Sequence, residues 1–219
     1  MCGIDMRIDD GEGSTIHDVI FDFCGVLVDW QPKLALQGLF PQDAIDEFFA
    51  DDDRCGFLYF DDLHDGGVDY DDLIVEYERE YGARLGLMMR AYADHVDRSL
   101  VGMIPGMMPL LDELTARGIG VWGLTNWGRD TWPVMQRRFP ELIDRLNDVM
   151  VSGFEGVKKP ETAIFDRAME RFGIDRRHTL FVDDSPYNVA GAQESGLRSI
   201  RFLASEQLRD RLIPRNDAA

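Results

Sequence analysis

"HDVIFDFCGVLVDW", residues 17–30, is the stretch from which the rest of the chain is read. Val19, Ile20 and Phe21 have the β-branched and aromatic character of a buried strand, and Gly25 breaks the backbone directly after them. Asp22 stands at the strand's end and Cys24 two residues further on. A carboxylate in that place is costly to leave unpaired, so it calls for partners from elsewhere in the chain.

Working outward, apolar runs and helical patterns alternate on the C-terminal side. "GMMPLLDELTARG" (106–118) sets Met107, Leu110, Leu111 and Leu114 on one helical face, and the strand-like "IGVWGLTN" (119–126) follows it. Further strands are predicted in "DVMVSG" (148–153), "HTLFVDD" (178–184) and "LRSIRFL" (197–203). The helical patterns "KPETAIFDRAMERFG" (159–173) and "NVAGAQESG" (188–196) separate them. Such alternation predicts an α/β fold, a Rossmann-like parallel sheet covered by helices, whose ligands gather at the carboxyl ends of the strands. Asp22, Thr125, Lys159, Asp183 and Asp184 all fall at or just past those ends.

Between Trp30 and Gly102 the pattern is helical alone, clearest in 41–50, 69–82 and 84–100. The expected organisation is a core of residues 1–29 and 103–219, with 1–16 a mobile lead, and an all-helical insertion over 30–102 that lies above the strand ends as a lid. The acidic segment "FDDLHDGGVDYDD" (60–72) does not fit a calcium loop, because counting from Asp61 puts Leu63 at the third ligand position. It reads as a solvated turn at Gly66 and Gly67 before a helix capped by Asp69 or a neighbour.

With 219 residues, 45% of them hydrophobic, the chain is ample for a real core. A net charge of -18 repels polyanions, which excludes nucleic acid and anionic membrane as general partners. The three cysteines, Cys2, Cys24 and Cys55, lack metal-ligand spacing and read as reduced thiols of a cytoplasmic protein. No run approaches the roughly eighteen apolar residues of a membrane span.

An aspartate presented by a sharp turn is a competent nucleophile, able to split one difficult transfer into two. Asp22, Asp183 and Asp184 offer the hard oxygens that Mg²⁺ prefers. Lys159 and Thr125 are placed to hold phosphoryl oxygens and stabilise their charge. In blander terms, Lys159 is a helix-terminal charge before Pro160 at the first turn, Thr125 and Asn126 cap the next helix, and the acid pair caps another. Lys158 is expected to face solvent.

In this order, "DFCGVL", "GLTN", "KKP" and "FVDDS" resemble the four motifs of the haloacid dehalogenase superfamily, and the helical insertion is similar to the cap of its first subclass. Within the superfamily the chain looks most like the branch containing α-D-glucose-1-phosphate phosphatase. The resemblance implies an aspartyl-phosphate on Asp22 and Mg²⁺ held by Asp22, the backbone carbonyl of Cys24 and the motif-four acids. Asp184 would be the direct ligand and Asp183 would act partly through water, their order being open. Gly25, Asn126, Trp127 and Asn188 are the expected substrate-side residues. Tyr187 is a further cleft candidate, and Trp127 either stacks on a sugar ring or packs under the cap. Trp132, Phe139, Met107, Met108 and Met150 are expected to be packing residues.

Cys24 departs from the family pattern. Phosphatases of the family usually carry an aspartate there, which protonates the leaving alcohol and later activates water. A thiol serves poorly for either step. Three readings follow. The first is a phosphatase of a small phosphorylated metabolite, such as a sugar phosphate with an acidic leaving group. The second is a non-catalytic or weakly active relative, and the third a 2-haloacid dehalogenase, against which the two extra carboxylates at 183 and 184 count. The sequence does not set the oligomeric state.

Overall fold

The computed structural model describes residues 15–213 and the backbone of Ile8 and Asp9. Two short strands, β1 (Ile8–Asp9) and β2 (Thr15–Ile16), pair antiparallel ahead of β3 (Asp18–Phe21). Then β4 (Val28–Trp30) leads into five helices: α1 (Gln42–Phe48), α2 (Phe57–Asp65), α3 (Tyr70–Tyr81), α4 (Ala83–Asp94) and α5 (Val96–Ser99). The chain returns through β5 (Leu100–Met103), α6 (Met107–Ala116) and β6 (Gly120–Thr125). Helices α7 (Trp132–Arg138) and α8 (Pro140–Ile143) precede β7 (Val149–Val151), α9 (Ser152–Glu155) and α10 (Thr162–Phe172). The last elements are β8 (Thr179–Asp183), α11 (Pro186–Glu194), β9 (Arg198–Arg201) and α12 (Ser205–Leu212).

Five strands form the predicted parallel sheet, in the order β7-β6-β3-β8-β9. β3 is its centre, with Phe21 opposite Gly123 of β6 on one side and Val182 of β8 on the other. The chain builds outward from β3 first through β6 and β7, then crosses to β8 and β9. β3 is therefore the point where strand order reverses, and the crevice at its carboxyl end is the natural ligand position.

Alternate side chains of the central strands feed two separate cores. Val19, Phe21, Leu180 and Val182 pack with Leu110, Leu111 and Leu114 of α6 and with α12. Ile20, Phe181 and Leu124 pack with Ile164, Phe165 and Phe172 of α10. Both faces of the sheet are thus covered, which fixes register, since a one-residue slip would exchange the two sets. Trp132, Phe139, Met107 and Met150 are buried as expected, and Met108 is half-buried.

The helical stretch leaves and re-enters through β4 and β5, paired antiparallel with Val28 opposite Met103 and Trp30 opposite Leu100. The boundaries expected at 30 and 102 fall inside this two-stranded stem. An aromatic lattice of Phe48, Phe49, Phe57, Tyr77 and Tyr92 holds the helices together, mostly edge to face.

Several sequence expectations are corrected. The segment 60–72 is not wholly a turn. Its first half belongs to α2, where Phe57, Phe60 and His64 form a buried stripe that the surrounding acids disguise. Asp53 supplies the helix's start, accepting from Leu58 N at 2.8 Å and Tyr59 N at 3.0 Å. Asp69 does precede α3 but makes no side-chain cap; it pairs with Arg129 at 2.8 Å instead. The pattern over 84–100 breaks at His95, and its last residue joins β5 because the edge of β4 pairs with it. The helix expected from 159 begins at Thr162, so Pro160 lies ahead of it. Within the expected mobile lead, Thr15 and Ile16 are ordered in β2, and Ile16 is buried. Cys2 lies outside the described residues.

Candidate active site

Asp22 directly follows β3 and is only 6% exposed; its backbone N–H donates to Val182 O at 2.9 Å, which locks the turn onto β8. Its Oδ1 accepts from Lys159 Nζ at 2.6 Å. The same ammonium donates to Asp183 Oδ2 at 2.8 Å and to Leu124 O at 3.1 Å, so a buried cation bridges the ends of three strands.

Lys159 is itself held by Asn126. The amide Oδ1 accepts from Lys159 N at 2.9 Å and Nδ2 donates to Lys159 O at 2.9 Å. Both ends of the Asn126 side chain are thus committed to the lysine's backbone, and the residue also lines the cavity over Asp22. Neither Thr125 nor Asn126 caps a helix, since α7 starts only at Trp132. Thr125 is buried at the end of β6, its hydroxyl weakly donating to Asn126 O at 3.3 Å.

Asp183 ends β8 fully buried and accepts from Ser185 N at 2.8 Å and Asn188 Nδ2 at 3.1 Å. The acid pair does not cap α11; Ser185 does. Asp184 is exposed and packs against Gly25, whose φ is +86°. A Cβ at position 25 would sit 2.6 Å from Asp184 Oδ2, so glycine is needed both for the turn and for this approach. Asp22, Asp183 and Asp184 each bring an oxygen within 4.8 Å of the others.

Three carboxylates around one ammonium leave an excess of negative charge. Burial pushes Asp22 up to about 7, against the pull of Lys159 and with the help of Asp183. Lys159 is held above its ordinary value: burial opposes its charge, but Asp183 and Asp22 outweigh burial. Asp184 is raised by partial burial and by Asp183. The Cys24 thiol is pushed well up by burial and by the charges of Asp22 and Asp65, which leaves it a neutral thiol. An all-oxygen donor set with this charge excess fits a hard divalent cation.

Above these groups lies a cavity of about 320 Å³, the size that takes a small metabolite. Asp22, Cys24, Lys159 and Asn188 line its floor, and Trp30, Asp61, Asp65 and Tyr92 come from the stem and the helical stretch. Trp127 lines it too, 7% exposed, and its Nε1 finds no hydrogen-bond partner among the described residues. Tyr187 does not line it and is 77% exposed, a correction to its expected place. Lys158 is not solvent-facing either, but half-buried and paired with Asp62 of α2 at 3.2 Å.

Residues that sequence reasoning missed come mainly from α2. Asp61 and Asp65 are one turn apart and share a face, a signal available once the helix is recognised. Asp130, in the loop after β6, accepts or shares a proton with His64 Nε2 at 2.5 Å and accepts from Tyr70 N at 3.0 Å, tying α2 and α3 to the sheet. His64 reaches it because Gly128 has no Cβ to overlap the ring. Asp130→Ala is expected to cost about 2 to 3 kcal/mol in urea unfolding, as two bonds to a charged acceptor are lost. Burial raises the Asp130 carboxyl, but His64 and the Tyr70 amide outweigh it and hold it below its ordinary value. The stabilisation is therefore present above about pH 4 and fades as pH falls further, so the gap between parent and variant should close in acid.

The family model of the haloacid dehalogenase-like hydrolases matches residues 19–196. The chain belongs to this family. One relative, glyceraldehyde 3-phosphate phosphatase of Pyrococcus abyssi, is 34% identical over 101 residues. That alignment covers 45% of this chain and 42% of the relative, so it spans less than half of that protein. A phosphoglycolate phosphatase of Rhodospirillum rubrum is 27% identical over 191 residues, covering 82% of this chain and 76% of the relative. Among solved structures, a haloacid dehalogenase family enzyme from Bacteroides thetaiotaomicron, a complex with magnesium and inorganic phosphate, superposes with a TM-score of 0.66. Its identity is 21%, over 86% of this chain and 95% of that one, which shows a shared fold. No helix among the described residues of this chain is long and apolar enough to cross a membrane.

Proposed function

We propose that this protein is a magnesium-dependent phosphomonoesterase of a small sugar phosphate, working through an aspartyl-phosphate on Asp22. The observation that carries the reading is the buried Asp22 carboxylate, 2.6 Å from Lys159 Nζ and clustered with two further carboxylates on the floor of a small cavity. A halide displacement has no use for that cluster, since the added negative charge raises the energy of the departing halide's surroundings and needs a cation to offset it. Retention of the whole Asn126–Lys159 clamp likewise argues for turnover rather than binding alone.

In this reading Asp22 attacks phosphorus, while Lys159 and the Thr125 hydroxyl hold the phosphoryl oxygens. Asp22, Asp183, Asp184 and the backbone carbonyl of Cys24 would hold Mg²⁺, which when bound neutralises phosphoryl charge. Residues 30–102 serve as the cap that sets substrate choice. Its acids Asp61 and Asp65 suit the hydroxyls of a neutral sugar, and Trp30 and Trp127 offer flat apolar faces. A second anionic group on the substrate would meet these acids where it needs a lysine or arginine, and the helical stretch brings neither to the cavity lining, so phosphoglycolate should be a poor substrate.

The test is phosphate release from p-nitrophenyl phosphate, α-glucose 1-phosphate and phosphoglycolate, with Mg²⁺ and with a chelator. Expected is release from the first two that disappears with the metal, and at least about tenfold lower kcat/KM for phosphoglycolate, a discrimination of roughly 1.4 kcal/mol. A folded protein that releases phosphate from none of them, yet chloride from 2-chloropropionate, would be a dehalogenase instead.

A further inference from the structure

The position two residues after the nucleophile holds a thiol, which gives up a proton less readily than a carboxyl and cannot take one from water while it carries its own, so the acid and base of the reaction must come from elsewhere. The other groups on the floor are already engaged: Lys159 bridges two carboxylates, Asn188 donates to Asp183, and Asp183 accepts from both. Among the described residues, the remaining proton carriers around the cavity belong to the helical stretch.

Resting on the phosphatase reading above, we propose that Asp65 of α2 is the general acid and base of the reaction, replacing the carboxyl that Cys24 lacks. Asp65 lines the same cavity as Asp22, Cys24 and Lys159. Its neighbour one turn back, Asp61, is occupied by the Tyr70 hydroxyl at 2.8 Å, whereas no described side chain donates to the Asp65 carboxyl. Asp65 also closes α2, and the end of that helix is the part bonded to the core beside the strand ends.

The core fixes its place. Ser152 Oγ donates to Asp65 O at 2.6 Å while also accepting from Trp127 N at 3.1 Å, and Gly67 abuts the backbone of Gly153. The end of α2 is thereby moored to α9, next to the strand ends. Trp127, whose buried N–H has no hydrogen-bond partner among the described residues, lines the same cavity. Burial, together with Asp61 and Asp62, raises the Asp65 carboxyl well above its ordinary value, which keeps the proton available near neutral pH.

The two steps balance. As Asp22 Oδ bonds to phosphorus, the ester P–O bond breaks and the leaving oxygen takes the Asp65 proton. The Asp65 carboxylate then takes a proton from water as the water oxygen attacks phosphorus and the Asp22–phosphorus bond breaks, returning both acids to their starting forms.

Leaving-group dependence tests this. In kcat/KM, which reads the step that expels the leaving group, Asp65→Asn is expected to lose on the order of 10²-fold on glycerol phosphate, whose alkoxide needs the proton, and at least about tenfold less on p-nitrophenyl phosphate, whose phenolate does not. A burst of p-nitrophenol should appear as the aspartyl-phosphate accumulates. Cys24→Asp added to Asp65→Asn should recover most of the glycerol phosphate activity, which no merely structural role of Asp65 explains. Asp65→Ala gives the same substrate ratio if the asparagine variant does not fold. Equal losses on both substrates, no loss on either, or no recovery in the double variant overturns the assignment while leaving the phosphatase reading intact. Absence of metal-dependent phosphate release by the unsubstituted protein removes both.

Discussion

Asp22→Asn lowers phosphate release by on the order of 10⁴-fold or more, the scale seen when a covalent nucleophile is removed. The amide nitrogen and oxygen lack the charge needed to attack phosphorus, and Asp183, the other carboxylate bonded to Lys159, is fully buried and does not line the cavity. The fold survives the change, because asparagine keeps the shape and Lys159 retains Asp183 and Leu124 O as acceptors. Steady-state kinetics on p-nitrophenyl phosphate beside a circular dichroism spectrum and thermal midpoint give the result. A folded variant with turnover within tenfold of the parent would sink the covalent mechanism.

Lys159→Met is expected to damage both activity and stability. Removing a preorganised charge that faces the transferred group costs about 10² to 10³-fold in kcat. Its removal also leaves Asp22 and Asp183 without their shared cation in a buried setting, and breaking a buried ion pair by deleting one partner costs about 3 to 5 kcal/mol. Urea unfolding reads the second effect, and a drop below about 1 kcal/mol would mean that water or a cation already balances the two acids. The contrast with Asp22→Asn is informative: one variant is inactive and stable, the other inactive and fragile.

Much of this arrangement was legible in the chain. The run Val19–Phe21, the strand ending at Thr125 and the strand ending at Asp183 each carry a polar residue past an apolar stretch, and parallel pairing brings such ends together. Asn126 was harder. Its neighbours suggested a ligand contact, and only the fold reveals that its amide meets the backbone of a residue 33 positions away. The helix α2 stayed hidden for a different reason. Its buried stripe is interrupted by Asp61, Asp62 and Asp65, acids that read as solvent-facing and all of which line the cavity. Local composition registers charge but not the direction in which a helix turns it. The stem strands β4 and β5 are equally invisible, since each is short and becomes a strand only by finding the other across the helical stretch.

The central place of β3 has a consequence for how the molecule is made. Synthesis delivers β3 among the first elements, yet β6, its neighbour on one side, begins at Gly120 and β8, on the other, at Thr179. Until β6 is made this apolar strand therefore has two open edges, and until β8 is made it still has one, a state prone to mispairing with other chains. The helices of residues 42–99, rich in local contacts, can form in the meantime, and they flank the segment that has to wait. The nucleophile acquires its lysine only when residue 159 has emerged, so incomplete chains of this protein carry the aspartate without the chemistry.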